Sequence, residues 1–403
     1  MIKNTIQELD SRGLIYQKSP DIEKVLNNRI CVYWGTDPTS DSLHIGHLVG
    51  LLTLKRFLNF GHKVVVLIGG ATALIGDPSG KEKERPLLAV EEISKNKIKI
   101  KNQIKKILAA DKEILFVDNV EWFKEIDLLF FIREIGKLIS VNSMLDSEFI
   151  RRRITSNEFI SYAEFSYQLM QAYDFLILFE KYDCKVQIGG SDQWGNIICG
   201  IELIKKKLSQ KAYGLSYPLV VDPKSGRKIG KTEKGEVIWL SENKTSPFKF
   251  YQYFLNLSDE IVEKLIYYYS FKNLKEIEEI KKQWILNKES RLLQKVLAEE
   301  LLEIVFSKRQ KNDILKLSHL LFEKNYNEFS LADLKFLKKF INYRLVEKVN
   351  LEEDLVFLKI ANSKSESRRL IDQKGIKVFF LLDKFFLIKK GKNEFGLIEI
   401  NKK

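Results

Sequence analysis

The chain has 403 residues, of which 45% are hydrophobic and 30% charged, enough material for two or three domains with real cores. Glycine (21) and proline (7) are too scarce for a disordered or collagen-like chain. The 67 Lys and Arg outnumber the 54 Asp and Glu, a net +13 that points to a polyanionic partner. From Leu355 to Lys403 there are 12 basic residues against 5 acidic ones, a net +7. Uniform bias would not concentrate over half the excess there, so a basic C-terminal module is expected.

Uncharged stretches such as Val64 to Gly76 are too short to span a bilayer, and no membrane association is expected. The N-terminus has no apolar core of a secretory signal. Cys31, Cys184 and Cys199 are odd in number and form no C-x-x-C pair. A reducing, cytoplasmic setting is therefore expected, without a disulfide framework or a protein-bound metal.

Ile30-Cys31-Val32-Tyr33-Trp34 reads as a buried strand, followed by Gly35 and a turn at Asp37-Pro38-Thr39. From His44 to Phe60 apolar residues recur near helical spacing. Val64 to Ile68 is a second strand, ended by Gly69-Gly70. Helical text fills about 86–110, and Ile114 to Val117 is a third strand. This alternation predicts parallel βαβ units in a doubly wound sheet, with ligands beyond the carboxyl ends of the strands. After Ser246-Pro247 the text is helical through Glu328. Beyond Leu334 it changes again, with a capped basic helix at Ser363 to Ile371 and short β-like runs such as Val378 to Leu382.

Two of the four histidines stand in His44-Ile45-Gly46-His47. At i and i+3 they share a face of a helix N-terminus, where free N–H groups attract phosphate. Gly46 between them lets a flat ligand approach the backbone. Taken alone, two such histidines are more often surface or capping residues. Lys228-Ile229-Gly230-Lys231-Thr232 puts two ammonium groups on a glycine-hinged loop, which suits charge developing on a leaving pyrophosphate. Tyr167, Gln171 and Asp174 fall within a sector of about 60° on an otherwise apolar helix. A polar stripe among Phe165, Leu169, Met170, Phe175 and Leu176 reads as a pocket wall or, failing that, as a buried packing network.

Together these segments resemble the two signatures of class I aminoacyl-tRNA synthetases. The surrounding text narrows the likeness to the bacterial tyrosyl-tRNA synthetases. It includes Tyr33, Gly35, Asp37-Pro38-Thr39, Gly69-Gly70-Ala71-Thr72, Gly76 to Lys81, Gln171-Ala172-Tyr173-Asp174 and Gly189 to Asn196. The resemblance runs in order from about residue 5 to the end. It implies a Rossmann-like α/β catalytic domain with a doubly wound parallel sheet (1–225), then the lysine loop and a helical domain (226–333). A small α+β RNA-binding domain (334–403) follows.

The same resemblance implies roles. Tyr33 and Asp174 match the pair on the substrate phenol; Tyr167, Gln171 and Asp77 match the α-ammonium site, and Gln187 joins the tyrosine pocket. Gly35, Asp37, Gly46, His47, Gly190, Asp192 and Gln193 match the adenosine and ribose wall. Thr39 and His44 match the γ-phosphate contacts. Lys81, Arg85, Lys228 and Lys231 match the pyrophosphate clamp, with Thr232 beside them. Lys364, Arg368 and Arg369 are the expected tRNA contacts. The implied reaction joins L-tyrosine to tRNA(Tyr) with ATP and Mg²⁺, in a homodimer. A tryptophan-activating sister enzyme and a non-catalytic RNA-binding relative are the alternatives. Trp34, Thr36 and Gly50 depart from the family's usual residues. Trp34 either covers the ATP ribose edge, with Gly50 making room for it, or turns inward to fill volume left by Thr36. The stretch Ile376 to Phe380 also departs from the family's RNA-binding module.

Overall fold

The computed structural model describes residues 4–77, 88–109, 114–145, 147–221, 229, 236–391 and 394–401. The chain forms two compact units, Met1–Ser246 with Tyr253–Val305, and Pro247–Gln252 with Phe306–Lys403.

The first unit is built on a six-stranded sheet. Its strands are β1 (Gln17–Lys18), β2 (Cys31–Thr36), β3 (Lys63–Ile68), β4 (Ile114–Asp118), β5 (Cys184–Gly190) and β6 (Tyr213–Tyr217). Their order is β1-β6-β5-β2-β3-β4, parallel except for β1. β2 and β3 are apolar runs because helices cover both of their faces. The expected doubly wound sheet is present. β5 and β6 add two strands to the three expected ones, and β1 caps the edge.

Helix Ile45–Asn59 is tied at both ends. At its start, His44 accepts from Gly46 N and His47 accepts from His44 N, a reciprocal cap made by two imidazoles. Near its end Arg56 is fully buried, and its guanidinium donates to the Ser270 carbonyl at 2.6 Å. Burial and the neighbouring Arg12 lower the Arg56 pKa to about 9. Helix Tyr162–Tyr182 begins with a Ser161/Glu164 capping box and ends at Asp183 with φ 50°. It supplies Ala172, Phe175, Leu176 and Leu178 to the main core beside Tyr33 and Val65. Among the described residues no helix is long and apolar enough to cross a membrane.

In the second unit, β7 (Asn342–Val346), β8 (Ile376–Leu381), β9 (Phe385–Lys390) and β10 (Glu394–Ile400) make a sheet of order β7-β10-β9-β8. β7 runs parallel to β10 and the other pairs are antiparallel. Leu355, Leu358, Ile360, Ile388 and Ile398 form its core. Helix Lys364–Asp372 starts at Ser363, whose side chain accepts from Glu366 N.

Candidate active site

The chain leaves β2 toward β3 on one side, and β5 toward β6 on the other. The carboxyl ends of β2 and β5 thus frame the switch point where such sheets bind ligands. One cleft opens there. Tyr33 and Trp34 on β2 point to opposite faces of the sheet.

Tyr33 faces helix Tyr162–Tyr182, its ring 5.2 Å from that of Phe175. It is 1% exposed, and its hydroxyl has no hydrogen-bond partner among the described residues; neither has the side-chain oxygen Oε1 of Gln187 on β5. Asp174 is equally buried. Its two oxygens accept from Trp122 Nε1 at 2.8 Å and Asn119 Nδ2 at 3.1 Å. Burial pushes its carboxyl well above the usual carboxylate range, against the pull of those two donors. Burial, with the Asp174 charge nearby, likewise raises the Tyr33 phenol. The Tyr33 hydroxyl, Asp174 and the Gln187 side chain thus stand buried along the cleft wall, beside the Tyr33 and Phe175 rings, a lining that suits a ring ending in a hydroxyl.

Two polar chains run from there toward the mouth. Asn119 Nδ2 donates to Thr72 Oγ1 (3.0 Å) and Thr72 Oγ1 donates to Asp37 (2.8 Å), which also accepts from the Tyr167 hydroxyl (2.9 Å). Gly69 lies against this chain: a Cβ there would sit 2.0 Å from Asp37 Oδ1. In the second chain Asn196 Nδ2 donates to Gln171 (2.9 Å) and Gln193 (3.2 Å), and Gln193 donates to Asp77 at 2.8 Å. These carboxylates and amide oxygens can accept from an ammonium group.

On the other face, His44 and His47 stand at the start of helix Ile45–Asn59 with ring centres 4.1 Å apart. The His44 Nδ1 that accepts the Gly46 N–H carries no proton. The neutral ring therefore has its N–H on Nε2, a donor suited to a phosphate oxygen. A Cβ at Gly46 would lie 2.7 Å from His44 Cε1, so only glycine leaves the ring this position. Trp34 is 3% exposed, lines the cleft, and donates from Nε1 to the Tyr217 hydroxyl at 3.0 Å. Gly50 does make room for it: a Cβ there would be 2.9 Å from Trp34 Nε1 and 2.4 Å from the Tyr217 hydroxyl.

The family model for tRNA synthetases class I (W and Y) matches residues 24–323. The tyrosine–tRNA ligase of Roseiflexus castenholzii is 43% identical over 382 residues, covering 92% of this chain and 90% of that protein. The chain belongs to the class I tRNA synthetases. Within that family, tyrosine–tRNA ligase 1 of Bacillus subtilis is 41% identical, covering 93% of this chain and 90% of that one. Tyrosine–tRNA ligase 1 of Pseudoalteromonas translucida is 38% identical over 99% of this chain and all of that protein. Among solved structures, a C-terminally truncated mitochondrial tyrosyl-tRNA synthetase from Aspergillus nidulans matches with a TM-score of 0.71 at 29% identity. It covers 80% of this chain and 95% of that one.

The cleft of this synthetase gathers the expected residues that the structure describes: Tyr33, Gly35, Asp37, Thr39, His44, Gly46, His47, Asp77, Tyr167, Gln171, Asp174, Gln187, Gly190, Asp192 and Gln193. Lys81, Arg85, Lys228, Lys231 and Thr232 lie outside the described residues. Lys364, Arg368 and Arg369 are all exposed in the second unit, and Lys364 and Arg368 pair there with Glu353 (2.7 Å) and Glu352 (2.8 Å). Sequence reasoning missed Asn119 and Trp122, which hold Asp174, and Tyr217, which holds Trp34. Asn119 directly follows the carboxyl end of the edge strand β4, on the side of the sheet where such folds bind ligands, but away from the β2/β5 switch point that sequence reasoning would single out.

Proposed function

We propose that the chain joins L-tyrosine to tRNA(Tyr) in two ATP-dependent steps. The observation that supports this reading is that Tyr33, whose hydroxyl has no partner among the described residues, and buried Asp174 both line the cleft. Tyr167, Gln171, Asp77 and Gln187 surround the amino-acid end. Gly35, Asp37, Gly46, His47, Gly190, Asp192 and Gln193 hold adenosine and ribose, while Thr39 and His44 meet the γ-phosphate.

No side chain need act as nucleophile. The tyrosine carboxylate attacks the α-phosphorus, the bond to the bridging oxygen breaks, and pyrophosphate leaves with the electron pair. Positive charge and N–H donors placed in advance stabilise that transition state. Lys81, Arg85, Lys228 and Lys231, with Thr232 beside them, complete the phosphate clamp. A tRNA ribose hydroxyl then attacks the tyrosyl carbonyl, the bond from that carbon to the adenylate oxygen breaks, and AMP leaves with the electron pair while its phosphate takes up the hydroxyl proton. ATP enters as its Mg²⁺ complex, the metal held largely by substrate phosphates.

Lys364, Arg368 and Arg369 engage tRNA, in a functional division of 1–225 for catalysis, 226–333 for the lysine loop and helices, and 334–403 for RNA. The protein acts as a cytoplasmic homodimer. Support for pairing comes from the first unit, where Leu128, Leu129, Phe159 and Tyr162 are 68–78% exposed, large apolar side chains that favour a partner surface.

ATP–pyrophosphate exchange with each of the twenty amino acids tests the reading. Exchange should depend on L-tyrosine. Tyrosyl enzymes are the standing example of rejecting phenylalanine by about 10⁴–10⁵ without editing. Comparable exchange with tryptophan or phenylalanine would overturn the assignment.

A further inference from the structure

The segment that returns to the start of helix Ile45–Asn59 carries an unassigned aromatic residue. Ile45 N donates to the Ile238 carbonyl (3.0 Å) and Leu240 N donates to the Leu43 carbonyl (2.8 Å). These bonds form a short antiparallel bridge centred on His44 and Trp239. The Trp239 indole meets the His44 imidazole edge-on, with centroids 6.0 Å apart and planes at 74°. The indole is itself held by a cation. Lys244 Nζ lies 4.3 Å from its ring centre and is ion-paired with Asp41, which also takes Lys99 at 3.0 Å. Lys244 donates to Ser40 Oγ (3.2 Å), and Trp239 N donates to the buried Thr245 Oγ1 (3.0 Å).

Among the described residues, at least three neighbours hold the His44 ring. Gly46 N–H takes Nδ1, His47 packs 4.1 Å away, and Trp239 closes a further side. The histidine χ2 torsion has broad wells, so a single hydrogen bond leaves the ring room to swing. Phosphate recognition by Nε2 depends on that angle.

We propose that Trp239, backed by Lys244 and Asp41, is a positioning residue that aims His44 Nε2 at the ATP phosphates. This rests on the reading that His44 meets those phosphates. Trp239 does not itself contact substrate; it acts through the imidazole.

The test is a double-mutant cycle on the full chain, read by single-turnover formation of the aminoacyl-adenylate. Trp239→Leu should slow that step by about 10- to 100-fold, the cost of a small misplacement of a catalytic group. The KM for tyrosine should change less than about twofold. Trp239→Phe keeps an aromatic edge against His44 and should recover most of the rate, which also separates misplacement from misfolding. In a His44→Ala background, Trp239→Leu should cost no more than about threefold, because the group it positions is gone. An equal loss in both backgrounds would overturn the proposal, as would a defect confined to tyrosine binding. If His44→Ala alone leaves the rate unchanged, the phosphate reading of His44 fails first and the positioning role falls with it.

Discussion

Tyr33→Phe should move stability and substrate selection in opposite directions. In the free protein the Tyr33 hydroxyl is buried and has no partner among the described residues. A buried polar group left without a partner costs about 1–3 kcal/mol. Deleting one oxygen leaves a void on the order of 10 Å³, worth about 0.2 kcal/mol. The variant should therefore be more stable than the parent by about 1 kcal/mol, visible as a higher denaturant midpoint at unchanged slope. A bond between two neutral hydroxyls contributes about 0.5–1.5 kcal/mol, so tyrosine activation should weaken by roughly 2- to 13-fold. Phenylalanine never used that hydroxyl. Discrimination between the two amino acids should fall by the same factor, measured as the ratio of kcat/KM in pyrophosphate exchange. A variant destabilised by 1 kcal/mol or more would show that the hydroxyl has a partner in the free protein. Unchanged discrimination would show that it does not face the substrate ring.

Gly50→Ala places a Cβ 2.4 Å from the Tyr217 hydroxyl and 2.9 Å from Trp34 Nε1, and should cost about 1–3 kcal/mol through overpacking. Tyr217→Phe removes the nearer atom, so the double variant should lose less than the sum; additive losses in denaturant unfolding would contradict the contact. His62 is buried, accepts from Ile30 N at Nδ1 and bonds Thr5 Oγ1 at 2.8 Å, and burial holds its pKa below the ordinary 6.5. Below about pH 6.5 the unfolded chain takes up the proton more readily, so stability should fall with pH there and stay level above. His62→Gln should flatten that slope, and an unchanged slope would locate the effect elsewhere. Arg369→Glu should raise the KM for tRNA and lower the salt dependence of binding by about one ion, leaving tyrosine activation intact. Equal damage to both steps would remove Arg369 from the RNA surface.

Much of this architecture could be read from residue patterns because buried parallel strands are written as uninterrupted β-branched runs. Val64 to Ile68 is the plainest case. β5 escaped that rule: Cys184–Gly190 interleaves Lys185 and Gln187 with apolar residues and ends in two glycines, since its carboxyl end serves the cleft as well as the sheet. β6 is short and contains Gly214, where a Cβ would collide with Ile197 at 2.3 Å. The helical stripe of Tyr167, Gln171 and Asp174 was legible as one wall. Its partners were not. Asp37, Asn196, Asn119 and Trp122 reach it from separations of 25 to 130 residues, across elements whose order only the folded sheet determines. The basic tail shows the converse. Charge counting detects Lys364 and Arg368, whereas the carboxylates that pair with them belong to the preceding helix Leu351–Phe357. Net charge points to the tail and leaves open which of its cations carry a carboxylate partner.

The most direct measurement is charging of total bacterial tRNA with each of the twenty amino acids, labelled one at a time, in the presence of ATP and Mg²⁺. Only L-tyrosine should become esterified, on a single isoacceptor group, with one AMP formed for each tyrosyl-tRNA. Charging with tryptophan, or tyrosine-dependent AMP formation that never yields tyrosyl-tRNA, would contradict the account.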